Sequence, residues 1–413
     1  MSCGKPGSRV SGSSPLPHDA TPALRIAPPD FFAEPGLKAV LAALPEARVV
    51  GGAVRDTLLG RRVGDIDLAT KWRPEAVTAA LEAAGLRALP TGLSHGTVSA
   101  LAQGKTFEVT TLRADVATDG RHAEVAFTTS WLADASRRDF TLNALSLSRE
   151  GRVFDYFGGI ADLIGGRVRF VGPAALRLAE DRLRTLRFFR FSAVYARTEP
   201  DAATLAALAG AATDLGRLSA ERVWSELKRL LAAPEPRPAL ALMRRLGVLE
   251  AILPEAGGLD AIERLAALGA PPDPLLRLAA LVRGDVEKLA ERLKLSGAEA
   301  ERLAVLRQGP VPAAEADEAA LRRLLADEPA EILVARSLLA GVGGAAGGRL
   351  RARLATLPRP VFPLGGRDAL ALGMAPGPAV GAALAAVRAW WLAGGCAADA
   401  EACRAELLRR GAA

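Results

Sequence analysis

Hydrophobic and polar positions follow two different periods in the first part of the chain. Between Leu37 and Leu147, stretches with helical spacing are interleaved with short runs in which apolar residues alternate or cluster, as they do in strands. The pattern predicts a helix over residues 37–44 and strands at residues 48–50, 66–69, 98–102 and 106–111. Helices and strands interleaved in this way indicate an α/β domain.

The strand signal disappears beyond about Gly172. From there Leu, Ala and Arg recur at helical spacing, with Pro and Gly interruptions such as Pro234 and Gly247. This pattern predicts a C-terminal part that is nearly all helix. Residues 1–22, in contrast, are rich in Gly, Ser and Pro, and they have too little apolar surface to offset the entropy lost on ordering. We expect a disordered tail there.

Composition narrows the classes of protein to consider. The 413 residues are too many for one core, and 50% hydrophobic with 24% charged residues is ordinary for folded globular domains. Lys and Arg number 53 against 46 Asp and Glu, and the net charge of +7 suits a polyanionic partner. Cys3, Cys396 and Cys403 lie near the chain ends and, together with the three histidines, have no zinc-binding spacing. With neither a membrane-length apolar stretch nor a signal-peptide pattern, the sequence leads us to expect a cytoplasmic protein.

Two aspartates stand one residue apart in the segment Val63 to Thr70. If this segment is a strand, Asp65 and Asp67 project from the same face. Neighbouring carboxylates are costly unless a cation neutralises them, and oxygen ligands suit Mg²⁺. Glu108, in the strand at residues 106–111, can add a third carboxylate, and such a trio fits two-metal chemistry at phosphorus. An isolated Asp-x-Asp is more often a turn or a solvated strand edge, so the interpretation depends on context.

A glycine pair provides that context. Gly51 and Gly52 end the apolar run at residues 48–50 and lead into a short helical pattern that contains Arg55. Glycines let backbone amides approach a phosphate closely, and an arginine adds a planar donor fork. The segment matches neither the dinucleotide-binding pattern nor the P-loop. A tight turn before a helix would explain the glycines alone, but their combination with the aspartates favours a phosphate site.

Further along the chain, the motifs follow the order found in a known family. The chain resembles the nucleotidyltransferase superfamily that contains DNA polymerase beta, and within it the class II tRNA nucleotidyltransferases (CCA-adding enzymes) and bacterial poly(A) polymerases. The resemblance covers about residues 45–255 and rests on residues 51–56, Asp65 with Asp67, and residues 137–144, 155–163 and 180–187.

This resemblance implies an α+β multidomain fold. The implied N-terminal head is an α/β nucleotidyltransferase domain, similar to that of DNA polymerase beta, at residues 23–148. All-helical domains are expected to follow, namely a neck at residues 149–232 with a nucleotide-template helix, and a body and tail at residues 233–413 that bind tRNA.

The resemblance also implies roles for single residues. Asp65 and Asp67 are expected to bind the catalytic Mg²⁺ ions, with Glu108 as a further catalytic carboxylate. The head residues that match the nucleotide-binding motifs are Gly52 and Arg55 for the triphosphate, Arg138 for the incoming nucleotide, and Asp139 and Asn143 near its ribose.

A polar helix face is predicted for the segment from Arg177 to Arg190, opposite an apolar face. Cytosine and adenine both present an amine donor beside a ring acceptor, so an aspartate beside an arginine fits them and rejects uracil and guanine. In the family, this reading of the base belongs to the residues that match Asp181 and Arg184. Arg187 is expected at the base or phosphate. Arg190 is a further nucleotide-binding candidate from the motif, although it turns toward the apolar side and can instead be structural. A surface network of Asp–Arg ion pairs is the alternative for the whole cluster.

The members of this family differ in what they add to RNA, and fold alone does not separate them. Residues 113–127 form a polar segment with a glycine, which predicts a mobile loop and resembles the flexible loop of full CCA-adding enzymes. We therefore expect addition of C, C and A to the 3′ end of tRNA from CTP and ATP, with release of pyrophosphate. The alternatives are a poly(A) polymerase or an A-adding enzyme of the same family and, from another class, a non-catalytic RNA-binding protein.

Overall fold

A computed structural model describes residues 21–92, 96–118 and 123–411. The tail predicted for residues 1–22 lies outside these ranges except for its last two residues. The described part divides into two compact units, the first reaching Leu218 and including Leu246–Val248, the second comprising Ser219–Arg245 and the residues from Leu249 onward.

The first unit is built around a mixed β-sheet. The strands are β1 (Leu24–Arg25), β2 (Arg48–Val50), β3 (Asp67–Thr70), β4 (Arg87–Gly92), β5 (Thr97–Ala102), β6 (Lys105–Thr111), β7 (Arg113–Thr118), β8 (Ala123–Phe127), β9 (Leu145–Leu147) and β10 (Arg152–Asp155). Eight of them form one sheet in the order β1-β10-β9-β2-β3-β6-β5-β4, in which β3 and β6 are parallel. β7 and β8 form a separate antiparallel hairpin.

Helices and tight helical turns complete the first unit. The α-helices are α1 (Pro35–Ala43), α2 (Gly52–Leu58), α3 (Pro74–Ala83), α4 (Trp131–Ser136), α5 (Gly159–Gly165), α6 (Ala174–Glu180), α7 (Leu183–Tyr195) and α8 (Ala202–Ala211). Short 3₁₀ turns occupy Asp30–Ala33, Thr141–Asn143 and Ala212–Arg217.

Helix α1 shows how the local sequence determines where a helix of the head begins and which of its side chains are buried. Its apolar residues Leu37 and Val40 recur at helical spacing and are fully buried in the core formed with the sheet. Burial of each such side chain contributes about 1.5–3 kcal/mol. Glu34 begins the helix, because its carboxylate accepts the free backbone N–H of Leu37 at 2.8 Å, and Pro35 follows at the first helical position.

In its described residues, the second unit consists of helices joined by loops, with one isolated bridge between Ala256 and Val282 and no strand. Its helices, with α11 reaching into it from Val248, are α9 (Ala220–Leu231), α10 (Arg237–Arg245), α11 (Val248–Ile252), α12 (Asp260–Ala267), α13 (Pro274–Leu281), α14 (Val286–Leu293), α15 (Gly297–Arg307), α16 (Glu318–Asp327), α17 (Ala330–Leu339), α18 (Gly344–Thr356), α19 (Gly366–Ala371), α20 (Pro378–Ala393) and α21 (Ala400–Gly411).

Arginines link helices of this second unit that are not adjacent in the sequence. Arg277 on α13 donates to the carbonyl oxygen of Leu231, the last residue of α9, at 2.6 Å. Arg307 at the end of α15 donates to Ala279 of α13 at 2.8 Å, and Arg336 on α17 donates in the same way to α15. The last carbonyls of a helix lack partners and carry the negative end of its dipole, so these arginines stabilise three helix ends.

The sequence-based strands agree with the structure where the apolar pattern is strong. The predictions at residues 48–50, 98–102 and 106–111 correspond to β2, β5 and β6. β4 was not predicted because it contains Pro90 and a glycine, which are disfavoured in central strands; it lies at the edge of the sheet. The prediction of a loop over residues 113–127 was wrong for the described part of that segment, which consists of the paired strands β7 and β8; residues 119–122 lie outside the described ranges.

The single helix predicted from Arg177 to Arg190 was wrong. Helix α6 ends at Glu180, and α7 begins at Leu183. Between them Asp181 has an extended backbone, with φ −148° and ψ 109°, and its carboxylate accepts the N–H of Leu183 at 3.0 Å. Such a local side-chain bond offers the backbone an alternative to helix.

The head sheet continues past residue 148, because β10 pairs with β9 inside it. The division of the remaining chain into neck, body and tail stays a prediction. Within the described ranges, no helix combines the length and apolar character that a membrane crossing requires.

Candidate active site

The three carboxylates predicted to be catalytic lie at one end of β3 and beside it on β6. Asp67 is the first residue of β3 and stands opposite Glu108 of β6 in the parallel register. The next pair, Leu68 and Val109, is buried, so the alternation of side chains turns Asp67 and Glu108 to the other face, where both are exposed. Asp65 precedes the strand in an irregular segment, so the prediction that both aspartates alternate along one strand was wrong.

Like charges act on Asp67. The surrounding protein partly desolvates its carboxyl and raises its pKa; Glu108 raises the pKa further, Arg138 lowers it, and Asp65 raises it. The balance is an upward shift, which means that the ionised group has too little positive charge around it. Among the described residues, no three His, Cys, Asp or Glu side chains converge closely enough to hold a metal ion by themselves. The carboxylates are therefore a region of excess negative charge that an added cation would relieve.

The turn before α2 brings two predicted nucleotide-binding arginines against the backbone. Gly51 has φ 68°, a conformation that L side chains rarely adopt, and a Cβ there would lie 3.3 Å from Nη1 of Arg138. A Cβ on Gly52 would lie 3.4 Å from Nη2 of Arg55. The absence of side chains at this turn is what allows both guanidinium groups to approach it.

Neighbouring groups fix the orientation of Arg55. Its Nε and Nη2 donate to the two carboxylate oxygens of Asp56 at 3.0 and 2.9 Å, and its Nη1 donates to Oδ1 of Asn143 at 2.8 Å. The guanidinium also lies over the rings of Tyr195 and Phe191, at 4.7 and 5.4 Å from their centroids. Sequence reasoning identified Arg55 and Asn143 but missed Asp56 and Tyr195.

Hydrogen bonds extend this network to α7. Asn143 donates from Nδ2 to Oδ1 of Asp139 at 3.0 Å, and Arg187 on α7 donates from Nε to Oδ2 of Asp139 at 2.8 Å. Burial alone would raise the pKa of Asp139, but the charge of Arg187 and hydrogen bonds from Asn143, Arg187 and the Phe140 N–H outweigh it and lower the pKa. Four predicted site residues are thus joined in one chain, Arg55, Asn143, Asp139 and Arg187.

Asp134 holds the paired arginines that precede Asp139. It is buried and accepts hydrogen bonds from Nη2 of Arg137 at 2.7 Å, Nη2 of Arg138 at 3.2 Å and the N–H of Arg113 at 3.3 Å. Burial opposes ionisation, yet the charges of Arg138 and Arg137 and these hydrogen bonds keep the pKa of Asp134 below its ordinary value. Sequence reasoning missed Asp134, although its spacing of three and four residues from the arginines was a readable signal.

The two residues predicted to read the base do not form a mutual side-chain pair. Arg184 forms an ion pair with Glu180 and donates from Nη2 to the carbonyl oxygen of Arg137 at 3.1 Å. Asp181 accepts the N–H of Leu183 and, through its own carbonyl, the N–H of Arg184 at 3.0 Å. The structure therefore places Asp181 and Arg184 at the junction of α6 and α7, with Glu180 as a partner that the sequence reasoning overlooked.

Arg190, the remaining candidate on α7, stacks on an aromatic ring. Its guanidinium carbon lies 4.4 Å from the ring centroid of Phe191. This position is compatible with the packing role suggested by the helical wheel. A contact of Arg190 with nucleotide stays a prediction.

Residues 155–163, one of the segments behind the family resemblance, act on the geometry of the site. Asp155 accepts the N–H of Gly159 at 2.9 Å, and a Cβ on Gly159 would lie only 2.2 Å from the carbonyl oxygen of Thr141. Asp162 is buried and accepts the Thr141 hydroxyl at 2.7 Å and Nε of Arg169 at 2.9 Å. This close packing fixes the 3₁₀ turn that ends with Asn143.

The chain is similar to families and proteins of known chemistry. Residues 47–169 match the family described as "Poly A polymerase head domain", and residues 199–258 match "Probable RNA and SrmB- binding site of polymerase A". It is 45% identical over 261 residues to the mitochondrial CCA tRNA nucleotidyltransferase 1 of Danio rerio, and 40% identical over 242 residues to the CCA-adding enzyme of Streptococcus sanguinis. These matches cover 61% and 57% of this chain.

The solved structure of the Bacillus stearothermophilus CCA-adding enzyme in complex with CTP is similar over nearly the whole length. It aligns with a TM-score of 0.74 and 29% identity, covering 94% of this chain and 98% of that one. The chain spans about 60% of the length of the curated relatives it matches. In its mixed-sheet head, its helical second unit and its ordered motifs, the chain is similar to the class II CCA-adding enzymes and poly(A) polymerases, and its residues 47–169 match the head domain of that family.

Proposed function

We propose that this protein adds C, C and A to the 3′ end of tRNA, using CTP and ATP and releasing pyrophosphate. One observation carries the proposal: the carboxylates Asp65, Asp67 and Glu108 lie in the same head domain as a hydrogen-bonded network that runs from Arg55 to Arg187. Carboxylates beside fixed guanidinium groups are the parts that nucleotidyl transfer needs. The relatives' names, which specify CCA addition, support the choice of product.

Mg²⁺ is the cofactor that the carboxylates fit. Asp65, Asp67 and Glu108 offer hard oxygen donors, and the raised pKa of Asp67, caused by desolvation and its acidic neighbours, marks a place where positive charge is missing. Asp65 and Asp67 would hold the metal, and Glu108 would complete the negative surface. When bound, Mg²⁺ stabilises the charge that develops on the reacting phosphate.

The arginines would hold the rest of the nucleotide. Arg55 has its orientation set by Asp56 and Asn143, so it can bind the triphosphate without a large loss of side-chain entropy. Arg138, held by Asp134 beside the Gly51 turn, would contact the same nucleotide, with Asp139 and Asn143 near its ribose. Positioning of this kind favours in-line attack of the RNA 3′-hydroxyl on the α-phosphorus, with pyrophosphate leaving toward Arg55.

Base choice would be made at the junction of α6 and α7. Asp181 supplies an acceptor and Arg184 a donor, the combination that matches cytosine and adenine. Because Glu180 and the Arg137 carbonyl already anchor Arg184, its approach to the base is restricted, which favours selectivity. Arg187 would contact the base or phosphate.

The polyanionic partner would be the acceptor end of tRNA. The net charge of +7 and the matched RNA-binding segment at residues 199–258 support this. The neck, body and tail domains predicted from the sequence would carry the RNA. The cytoplasmic location likewise stays a prediction, because the relatives include mitochondrial proteins.

Pyrophosphate release tests the proposed reaction. The purified protein is mixed with Mg²⁺, CTP and tRNA lacking its CCA end, and the wild type is compared with Asp65→Ala and with Asp30→Ala, an exposed residue elsewhere in the head. We expect Asp65→Ala to lower the rate about a thousandfold and Asp30→Ala to leave it unchanged. A wild type that releases no pyrophosphate would favour the non-catalytic RNA-binding alternative.

A further inference from the structure

Tyr195, the last residue of α7, packs against the proposed triphosphate arginine. Its ring centroid lies 4.7 Å from the guanidinium carbon of Arg55 and 5.0 Å from that of Arg61. Its hydroxyl donates to Oδ1 of Asp56 at 3.3 Å, the same carboxylate that pairs with Arg55. Tyr195 therefore contacts both members of the Arg55–Asp56 pair, one through its ring and the other through its hydroxyl.

These contacts fix the orientation of Arg55 but do not use all of its N–H donors. A guanidinium group has five N–H donors, and the hydrogen bonds to Asp56 and Asn143 use one each on Nε, Nη1 and Nη2. The Arg55 side chain is only 11% exposed. Because the Tyr195 ring packs against it, the Arg55 guanidinium has little freedom to rotate. The surrounding structure therefore fixes the direction of its remaining N–H donors.

The helix that carries Tyr195 also carries Arg184 and Arg187. Tyr195 follows Arg187 by eight residues, which corresponds to about 12 Å along a helix axis. Helix α7 is uninterrupted over this distance and buries Phe188, Phe189 and Phe191. Its two ends therefore move together.

We propose that Tyr195 is a positioning residue for the nucleotide triphosphate, acting through Arg55. Through Tyr195, the helix that presents Arg184 and Arg187 to the base also sets the position of the arginine that binds the phosphates. A base that is accepted at one end of α7 is then matched by a correctly placed triphosphate at the other. This inference rests on the proposed function, since it takes Arg55 to be the triphosphate ligand.

Three variants separate the contribution of the Tyr195 ring from that of its hydroxyl. Tyr195→Leu removes the ring and the hydroxyl, and Tyr195→Phe removes the hydroxyl alone. Phe32→Leu is the control, because Phe32 is a partly buried aromatic residue of the head that packs against Phe31 in the 3₁₀ turn at Asp30–Ala33, outside the proposed site. The readouts are KM and kcat for CTP incorporation into tRNA, and the equilibrium affinities for CTP and for CMP.

We expect Tyr195→Leu to raise KM and Kd for CTP about tenfold, with kcat changed less than about threefold, because a partly buried cation–π contact has this magnitude. The affinity for CMP should stay the same, since CMP lacks the β- and γ-phosphates, and it reports that the variant is folded. Tyr195→Phe should restore CTP affinity to within about threefold of wild type. Phe32→Leu should match the wild type.

A double-mutant cycle with Arg55→Lys tests whether Tyr195 acts through Arg55. In the Arg55→Lys background, Tyr195→Leu should cost much less CTP affinity than in the wild type. Equal losses for CTP and CMP, or losses that add fully with those of Arg55→Lys, would overturn the proposal. If the wild type binds CTP but does not incorporate it, the proposed reaction is refuted, and the double-mutant cycle measured by binding still decides the role of Tyr195. If the wild type neither binds nor incorporates CTP, the proposed reaction and the role of Tyr195 are both refuted.

Discussion

Asp67 of β3 stands opposite Glu108 of the parallel strand β6, and both side chains face solvent on the side of the sheet away from Leu68 and Val109. The pair is electrostatically unfavourable in the protein alone, since desolvation and then Glu108 raise the pKa of Asp67. In the proposed site, this repulsion lowers the stability of the protein and would favour the binding of a cation.

Removal of one charge should therefore stabilise the protein. At neutral pH and in EDTA, we expect Asp67→Asn to raise Tm, because the asparagine removes the repulsion that the ionised aspartate feels. The sign depends on pH: as pH falls through the raised pKa of Asp67, the wild-type carboxyl becomes neutral and the difference in Tm shrinks. Mg²⁺ should raise the Tm of the wild type more than that of the variant. A variant less stable than the wild type in EDTA would contradict this account.

The ion pair between the buried Asp139 and the partly exposed Arg187 should contribute to both stability and activity. Arg187→Gln leaves the Asp139 carboxylate buried without its main cation, and we expect a loss of about 3 kcal/mol in the free energy of unfolding measured in urea. Asp139→Asn combined with Arg187→Gln should cost less than the sum of the two single changes. Full additivity would mean that the two groups do not interact.

Asp181 has a structural contact and a proposed base-reading role, and substitution can separate the two. Asp181→Ala removes the acceptor for the Leu183 N–H and should cost about 1 kcal/mol of stability. It should also reduce discrimination against UTP and GTP about tenfold to a hundredfold, measured as ratios of kcat/KM. Asp181→Asn retains an oxygen for Leu183 but replaces the other with an amide donor. It should therefore keep the stability and still lose base choice. Unchanged discrimination in both variants would refute the base-reading role.

In the second unit, Glu299 provides a stability test that is independent of catalysis. Burial opposes its ionisation, but Lys228, Ser296 and Trp224 lower the pKa of Glu299 to about 2. The ionised form therefore stabilises the fold above about pH 4.5, and this contribution is lost as pH falls toward 2. Glu299→Gln should cost about 2 kcal/mol at pH 7, a value reduced for the half-exposed Lys228.

The exposed Glu301 on the same helix supplies the control for that comparison. Glu301→Gln should leave the unfolding curve nearly unchanged at every pH. The expected pattern is a difference between the two variants at pH 7 that narrows below pH 4. If the difference persisted at low pH, the ionic contacts of Glu299 would not be its source.

The sequence was sufficient to predict secondary structure where an apolar pattern repeats, and it was insufficient where a single local contact determines the backbone conformation. Strands β2, β5 and β6 could be predicted because their apolar residues recur, whereas the break at Asp181 depends on one hydrogen bond to Leu183. The two ends of the network, Arg55 and Arg187, are 132 positions apart in the sequence, and only the fold brings them together. The motifs could therefore suggest these residues as site candidates, but they could not show which residues are hydrogen-bonded to each other. Tyr195 lies outside the motifs that drew attention, and its contact with Arg55 is a tertiary one.

The most direct measurement of the central claim is the size of the product. The protein is incubated with Mg²⁺ and tRNA ending at the discriminator base, with labelled CTP and ATP supplied separately and together, and the products are resolved to single nucleotides on a gel. We predict two added residues with CTP alone, three with both nucleotides, and no further growth. Long A tails, addition of A to tRNA that already ends in CC without any addition of C, or no extension at all would contradict the account.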